Sequence, residues 1–327
     1  MRHRMDPRTS RHARAAARLA CCAALVLAGC AATPDAPRQA RADSPSVVAS
    51  SDLPARERAT LEAWRKGGAA WEIERERVRK DPELARFLVQ NAAREMVASF
   101  ERSRLVNQPV KDGPFERAQA ELAALPEHSI PLLVESLRLK DGVVAFLAAD
   151  VLERIGVAAI EPVLALSLDE RAETRRRAIE LVGRLPGAGA DEASVLERTG
   201  ELALSDPQWI VRAQAAQSLA LRARQANQTA WATGALCRLL RDEDPAVALA
   251  AAEGLTWLAE PRSFERVLGA LETAPERGEP RLVAELERTL AAIAGDQRRR
   301  SVPQWRSFWQ AEGRRLLDQS KGPDRAP

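Results

Sequence analysis

Tyrosine is absent from the 327 residues and histidine occurs three times, so most of the usual proton-transfer chemistry has few side chains to use. His3 and His12 lie in the first dozen residues, which leaves His128 alone in the body of the chain. General acid–base catalysis, His-based zinc sites and Ser-His-Asp or Cys-His arrangements all need an imidazole with a partner. His128 sits in the polar turn Pro126-Glu127-His128-Ser129 and reads as a surface residue at a helix start. No catalytic, cofactor-binding or metal-ligating set is therefore expected. With 17 Gly and 4 Cys, collagen-like and disulfide-dense scaffolds are excluded, and 46 % hydrophobic residues exclude disorder over the whole length. No Gly-x-Gly-x-x-Gly or Walker-type loop occurs, because Pro186-Gly187-Ala188-Gly189-Ala190 follows a helical pattern where a phosphate cradle needs a strand. Alternating β-branched patterns are missing too.

What is present begins with an address. The formal charge of +3 is unevenly placed: Arg2, Arg4, Arg8, Arg11, Arg14 and Arg18 against Asp6 give the first 29 residues +5, so the remainder carries −2. Behind those arginines, Leu19 to Gly29 is an apolar run of 11 residues. A bilayer span needs about 20. A basic start, a short apolar stretch and small residues before the cut describe a secretory signal peptide. No consecutive arginines precede the run, so a twin-arginine route is not expected. The stretch Leu27-Ala28-Gly29-Cys30 resembles the lipobox of bacterial lipoproteins. That resemblance implies lipidation of Cys30, a membrane-anchored exported protein and, with Ala31 next, the periplasmic face of the outer membrane in a diderm host. Cleavage would leave Cys30 and Cys237 and no internal disulfide. Cys237, in Leu236-Cys237-Arg238-Leu239-Leu240, reads as a core thiol.

Organisation follows from composition and period. Residues 1–29 are the signal peptide, and 30–55, rich in Ala, Pro, Ser and Asp, form a flexible tether. A helical block fills 56–125. Within it, Asp81-Pro82-Glu83 is a helix start, with Asp as N-cap and Pro in the first turn. Leu88, Ala92, Met96 and Phe100 then share one face, which other helices must cover.

From Pro126 to Gly295 the chain repeats. The segments Val144–Leu152, Thr174–Val182, Val211–Leu219 and Val247–Leu255 align with spacings of 30, 37 and 36 residues, and a weaker copy, Leu282–Leu290, follows after 35. Small residues coincide at Ala148-Ala149, Ala215-Ala216 and Ala251-Ala252, with Ala178-Ile179 in the second copy. Each copy is preceded by an amphipathic helix, such as Phe264, Val267, Leu268 and Leu271. Helix pairs with a period in the thirties signal a solenoid. The turn-and-helix pattern Asp206-Pro207, Val211-Arg212, Ala215-Ala216, Leu219, together with Asp244-Pro245, Val247, Ala251-Ala252, Leu255, resembles HEAT repeats, including the phycobilisome-lyase-like variant. The resemblance implies an all-α, right-handed α-solenoid. In each turn, Asp would cap the second helix and Pro open it. The family's arginine is kept as Arg175 and Arg212 but is Ala145 and Ala248 in the alternate copies, so a continuous Asp–Arg ladder is not expected.

Ala294-Gly295 leads into Trp305, Phe308 and Trp309, which resembles a Trp-bearing end segment of bacterial HEAT-repeat proteins. Residues 296–319 are read as a capping helix, with Trp305 and Trp309 alternatively serving as anchors for a partner, and 320–327 as a disordered tail. The runs Arg175-Arg176-Arg177 and Arg298-Arg299-Arg300 read as solvated helix faces, so no nucleic-acid partner is expected. The acidic run Asp242-Glu243-Asp244 departs from calcium-loop spacing. These features point to a non-enzymatic, lipid-anchored scaffold of the cell envelope. It would bind another protein through second-helix positions such as Arg177, Gln214 and Gln217. The alternatives are a lyase-like enzyme or subunit acting on a protein-bound cofactor, and a purely structural envelope component.

Overall fold

Helix follows helix from Ala55 to Ser320 in the computed structural model, which describes residues 53–105, 113–187, 192–276 and 278–320. The leader, the lipobox with Cys30, and the tail beyond Ser320 lie outside the described residues, among which no strand occurs. Four helices precede the repeats: α1 (Ala55–Lys66), α2 (Ala69–Lys80), α3 (Pro82–Leu105) and α4 (Gly113–Ala124). The repeats follow as pairs α5 (Pro126–Leu137) with α6 (Gly142–Ile155), α7 (Ile160–Ala165) with α8 (Ala172–Arg184), α9 (Glu192–Ser205) with α10 (Trp209–Gln225), α11 (Thr229–Leu239) with α12 (Pro245–Leu258), and α13 (Phe264–Thr273) with α14 (Pro280–Ala294). A final helix, α15 (Val302–Ser320), closes the series.

Local chemistry sets these boundaries. Asp81 accepts from the backbone N–H groups of Glu83 and Leu84 at 3.1 Å, which starts α3 as expected. Leu84, Leu88, Val89, Ala92 and Met96 on that helix are buried. Asp141 caps α6 through Val143 N at 2.8 Å, and Asp244 caps α12 through Ala246 N at 2.9 Å with Pro245 in the first turn. Asp206 departs from the expected pattern. It accepts from Gln208 N, and Gln208, not Asp206, occupies the N-cap of α10, so Pro207 lies before the helix instead of opening it. The carboxylate thereby released from capping is used between repeats, as described below. After α14, Gly295 at φ 65° satisfies two orphan carbonyls: its N–H reaches Ala292 O and that of Asp296 reaches Ala291 O.

The architecture is an α-solenoid. Second helices stack closely on one another from α8 through α10 and α12 to α14, whereas first helices meet more sparsely. Small residues permit this: Ala215, Ala216, Ala251 and Ala252 are fully buried. A Cβ on Gly183 would stand 2.8 Å from Ser218 Oγ, and one on Gly254 would stand 2.9 Å from Ala220 Cβ. The closer row is the shorter arc of the stack, which makes it the concave side. The α3–α4 pair continues both rows, with α4 against α6 and α3 against α5. The 30-residue spacing of the second copy has a structural counterpart. Its first helix is reduced to α7 between short 3-10 turns at Gly156–Ala159 and Leu166–Leu168.

Candidate partner-binding surface

The open stripe of the second-helix row carries half-exposed residues at equivalent places in successive repeats: Asp150, Glu180, Gln217 and Glu253, with Ala213, Gln214 and Leu249 alongside. Its character changes along the stack. Over α6 and α8 it is an ion-pair mesh, in which Arg176 reaches Glu173 and Glu180 at 2.9 Å and Arg184 reaches Glu153 and Glu180 at 3.6 Å. Hydrogen bonds from Arg176 hold the Glu173 carboxyl below the usual carboxylate range. Over α10 the stripe is neutral. At α12 it becomes acidic and partly desolvated: Glu253 accepts from Gln217 at 3.3 Å, and burial, reinforced by neighbouring Glu285, pushes its carboxyl above the ordinary value.

The residues singled out from the sequence fall in different surroundings. Gln214 and Gln217 lie half-exposed on this stripe. Arg177 lies beside it but is engaged, donating to Leu137 O at 3.1 Å, Leu139 O at 2.6 Å and Glu173. That bond set ties α8 back to the end of α5 and leaves Arg177 little freedom for a partner. Trp305 is 1 % exposed, packed edge-on to Phe264 with centroids 6.0 Å apart, and Trp309 stacks on the same ring at 4.3 Å. Arg300 lies over the Trp305 ring at 4.6 Å, and Trp309 Nε1 donates to Glu265. Both indoles thus bind α15 to α13, and Trp305 offers a partner no surface. Cys237 is buried, and desolvation pushes its thiol up, away from thiolate chemistry.

An Asp–Arg ladder forms over part of the stack, through the two arginines that keep the family position, and is not continuous. Arg175 grips Asp206 with two bonds of 2.8 and 2.9 Å, and Arg212 grips Asp242 in the same bidentate way. Each also donates to carbonyls of its own turn, Asp169 O for Arg175 and Asp206 O for Arg212. Arg138, at the end of α5, adds a rung to Asp169 at 2.9 Å. Burial opposes ionisation of Asp169, but bonds from Arg171 and Arg138 outweigh it and hold the carboxyl below its ordinary value. The run Arg175-Arg176-Arg177 is therefore an engaged set between and within repeats, not a solvated face.

One further residue carried no sequence signal. Arg222, fully buried in α10, donates to Val182 O at 2.8 Å and Leu185 O at 3.2 Å, and pairs with Glu192 at 2.7 Å. It joins the end of α8 to the start of α9. No group of His, Cys, Asp and Glu among the described residues is arranged to hold a metal ion.

The family model for HEAT repeats matches residues 196–287. That stretch runs from within α9 into α14, so the HEAT repeats coincide with the closely stacked part of the second-helix row. No curated protein matches the chain. Among solved structures, an engineered protein is 18 % identical over 82 % of this chain and 74 % of its own, with a TM-score of 0.39. The complex of CpcE and CpcF of phycocyanin lyase from Nostoc sp. PCC7120 is 14 % identical over 88 % of this chain and 99 % of that one, at a TM-score of 0.29. Neither likeness carries a functional argument.

Proposed function

We propose that this protein is a non-enzymatic scaffold, anchored in a bacterial cell envelope by lipid on Cys30, that binds another protein through the concave face of its second-helix row. The observation that carries the binding reading is the open stripe over α8, α10 and α12, centred on Gln214, Gln217 and Leu249, of which the α10 and α12 part lies in the segment that matches HEAT repeats. Stacked helix pairs offer an extended concave surface for such use. The anchoring reading rests on Leu27-Ala28-Gly29-Cys30 and a tether long enough to hold the helical stack clear of a membrane.

Affinity capture from envelope extracts of the native host, compared between the parent protein and a Gln214→Arg/Gln217→Arg variant, tests the binding reading. A stoichiometric partner that is lost with this variant supports it. Equal recovery by both proteins refutes the assigned face. Cys30→Ser addresses the anchor separately. Release from membranes and loss of fatty-acid labelling are expected, and unchanged membrane retention refutes lipid anchoring.

A further inference from the structure

The first-helix row contains an opening between neighbouring helices. Between α11 and α13 lies a groove of about 620 Å³, within the range of ligand-holding clefts, with Trp231, Gly234, Arg238 and Arg241 on one side and Arg266 on the other. An adjoining lobe of about 540 Å³ shares Arg241 and reaches Gly269. Residues 231, 234 and 238 fall on one stripe of α11 with Arg241 in the turn just beyond it, and 266 and 269 fall on one stripe of α13.

Three independent observations mark this groove as built for an occupant. First, its glycines have no internal reason. Four other glycines inside α-helices admit a neighbour: a Cβ on Gly183, Gly200, Gly254 or Gly313 would stand under 3.0 Å from another side chain, and only the helix-starting Gly113 and Gly142 do not. At Gly234 and Gly269 an added Cβ meets nothing within 4 Å. A mid-helix glycine costs about 1 kcal/mol relative to alanine, and here the bare backbone faces the open groove.

Second, the main groove is lined by three arginines and no acid. Arg238, Arg241 and Arg266 are exposed and have no carboxylate partner among the described residues, and Arg266 lies against the Cys237 thiol. Of the acids closest to them along the chain, Asp242 pairs with Arg212 and Glu272 with Arg306, Glu265 accepts from the Trp309 indole, and the exposed Glu243 lies with Asp242 on the adjoining lobe, outside the main groove. Third, Trp231 is 47 % exposed although its ring is seated over Gly200, where a Cβ would stand 2.3 Å from it. A rigid, half-exposed aromatic beside unpaired guanidiniums has the character of a binding hot spot.

We infer that the α11–α13 groove receives an extended, Asp/Glu-rich peptide segment of a partner protein. Carboxylates pair with Arg238, Arg241 and Arg266, the peptide backbone passes over Gly234 and Gly269, and an apolar side chain rests on Trp231. This site lies on the opposite row from the concave face, so it stands or falls independently of the proposal above.

Fluorescence anisotropy of the full chain with labelled Glu/Asp-rich 12-residue peptides, each carrying one Phe or Leu, tests it against Gln-substituted controls. Binding that weakens with added salt is expected for the acidic peptides alone. Arg238→Glu/Arg241→Glu should lower affinity by about tenfold or more. Gly234→Leu, which fills the groove without altering charge and whose Cβ meets nothing within 4 Å, should lower it comparably without lowering the melting temperature. Charge reversal at the exposed Arg86 of α3 is the control. The inference is overturned by absence of peptide binding, by equal weakening in the Arg86 variant, by indifference to Gly234→Leu, or by binding of inorganic phosphate without peptide. A concave-face Gln214→Arg/Gln217→Arg variant should leave peptide binding unchanged.

Discussion

Replacing Arg222 by Met is the sharpest perturbation available, because the guanidinium is 0 % exposed and its partners are few and known. It donates to the carbonyls of Val182, Leu185 and Pro186, which close the end of α8, and it pairs through two nitrogens with Glu192 in the first turn of α9. Met approximates the aliphatic stem, so the change removes charge and donors without opening a large cavity. What remains is a Glu192 carboxylate, itself 6 % exposed, facing carbonyl oxygens that have lost a donor. Breaking a buried pair from one side costs about 3–5 kcal/mol. A whole domain has roughly 5–15 kcal/mol of stability, so the loss should be a large fraction of the total. Urea unfolding followed by circular dichroism reads it directly. Because the residue joins neighbouring repeats of a quasi-one-dimensional stack, the variant should also show a lower apparent m-value as the two sides begin to unfold separately. Adding Glu192→Met removes the stranded charge and should recover a substantial part of the loss. A single Arg222→Met variant within about 1 kcal/mol of the parent, well under the cost of an unpaired buried charge, would refute the reasoning.

Four glycines test the two rows of the stack. Gly183→Ala and Gly254→Ala should destabilise by about 1–3 kcal/mol through overpacking, whereas Gly234→Ala and Gly269→Ala should stabilise by up to about 1 kcal/mol, all read by thermal melts. Trp305→Ala empties a buried site between α13 and α15 and should cost about 3–5 kcal/mol. Trp309→Ala should cost less, since that side chain is only partly buried. For Glu253, burial raises the folded-state value, so the folded protein holds this proton more tightly than the unfolded chain and stability falls as pH rises through the folded value. Glu253→Gln should therefore raise the melting temperature at neutral pH, and the gain should vanish below the ordinary carboxylate range.

Much of the fold is legible in the sequence because it depends on spacing. The paired alanines at 148-149, 215-216 and 251-252 recur at the solenoid period and are the buried contacts of the second-helix row. Asp81 and Asp244 announce their helix starts, and the apolar setting of Cys237 matches its burial. The Asp206-Pro207 turn resembles the Asp244-Pro245 one but differs in register by two residues, which no local pattern reveals. Arg222 reads as an ordinary basic residue in the last turn of a helix. Its role comes from the start of α9 arriving beside it, a tertiary fact. One rung of the partial ladder is missed for a related reason. Counting arginines at one aligned position overlooks Arg138, which serves an equivalent aspartate from the end of a first helix. Of the concave-face candidates, Gln214 and Gln217 depend only on helical phase and lie on the open stripe. Arg177 shares that phase but is long enough to reach back to α5.

The same physics assigns opposite work to the two rows. In a stack of helix pairs, the row that comes closer together must give up side-chain volume. Gly183, Gly254 and the paired alanines do so, each with a neighbour occupying the space released. The other row has no such requirement, since its helices are farther apart and larger side chains would fill the gap with favourable contacts. Small residues there lose helix propensity and packing together. Gly234 and Gly269 sit where both losses fall, on facing first helices beside the three groove arginines. Closeness accounts for Gly183 and Gly254 in the concave row and the Trp231 ring accounts for Gly200 in the opposite one, whereas Gly234 and Gly269 have no such neighbour, and the proposed peptide supplies one.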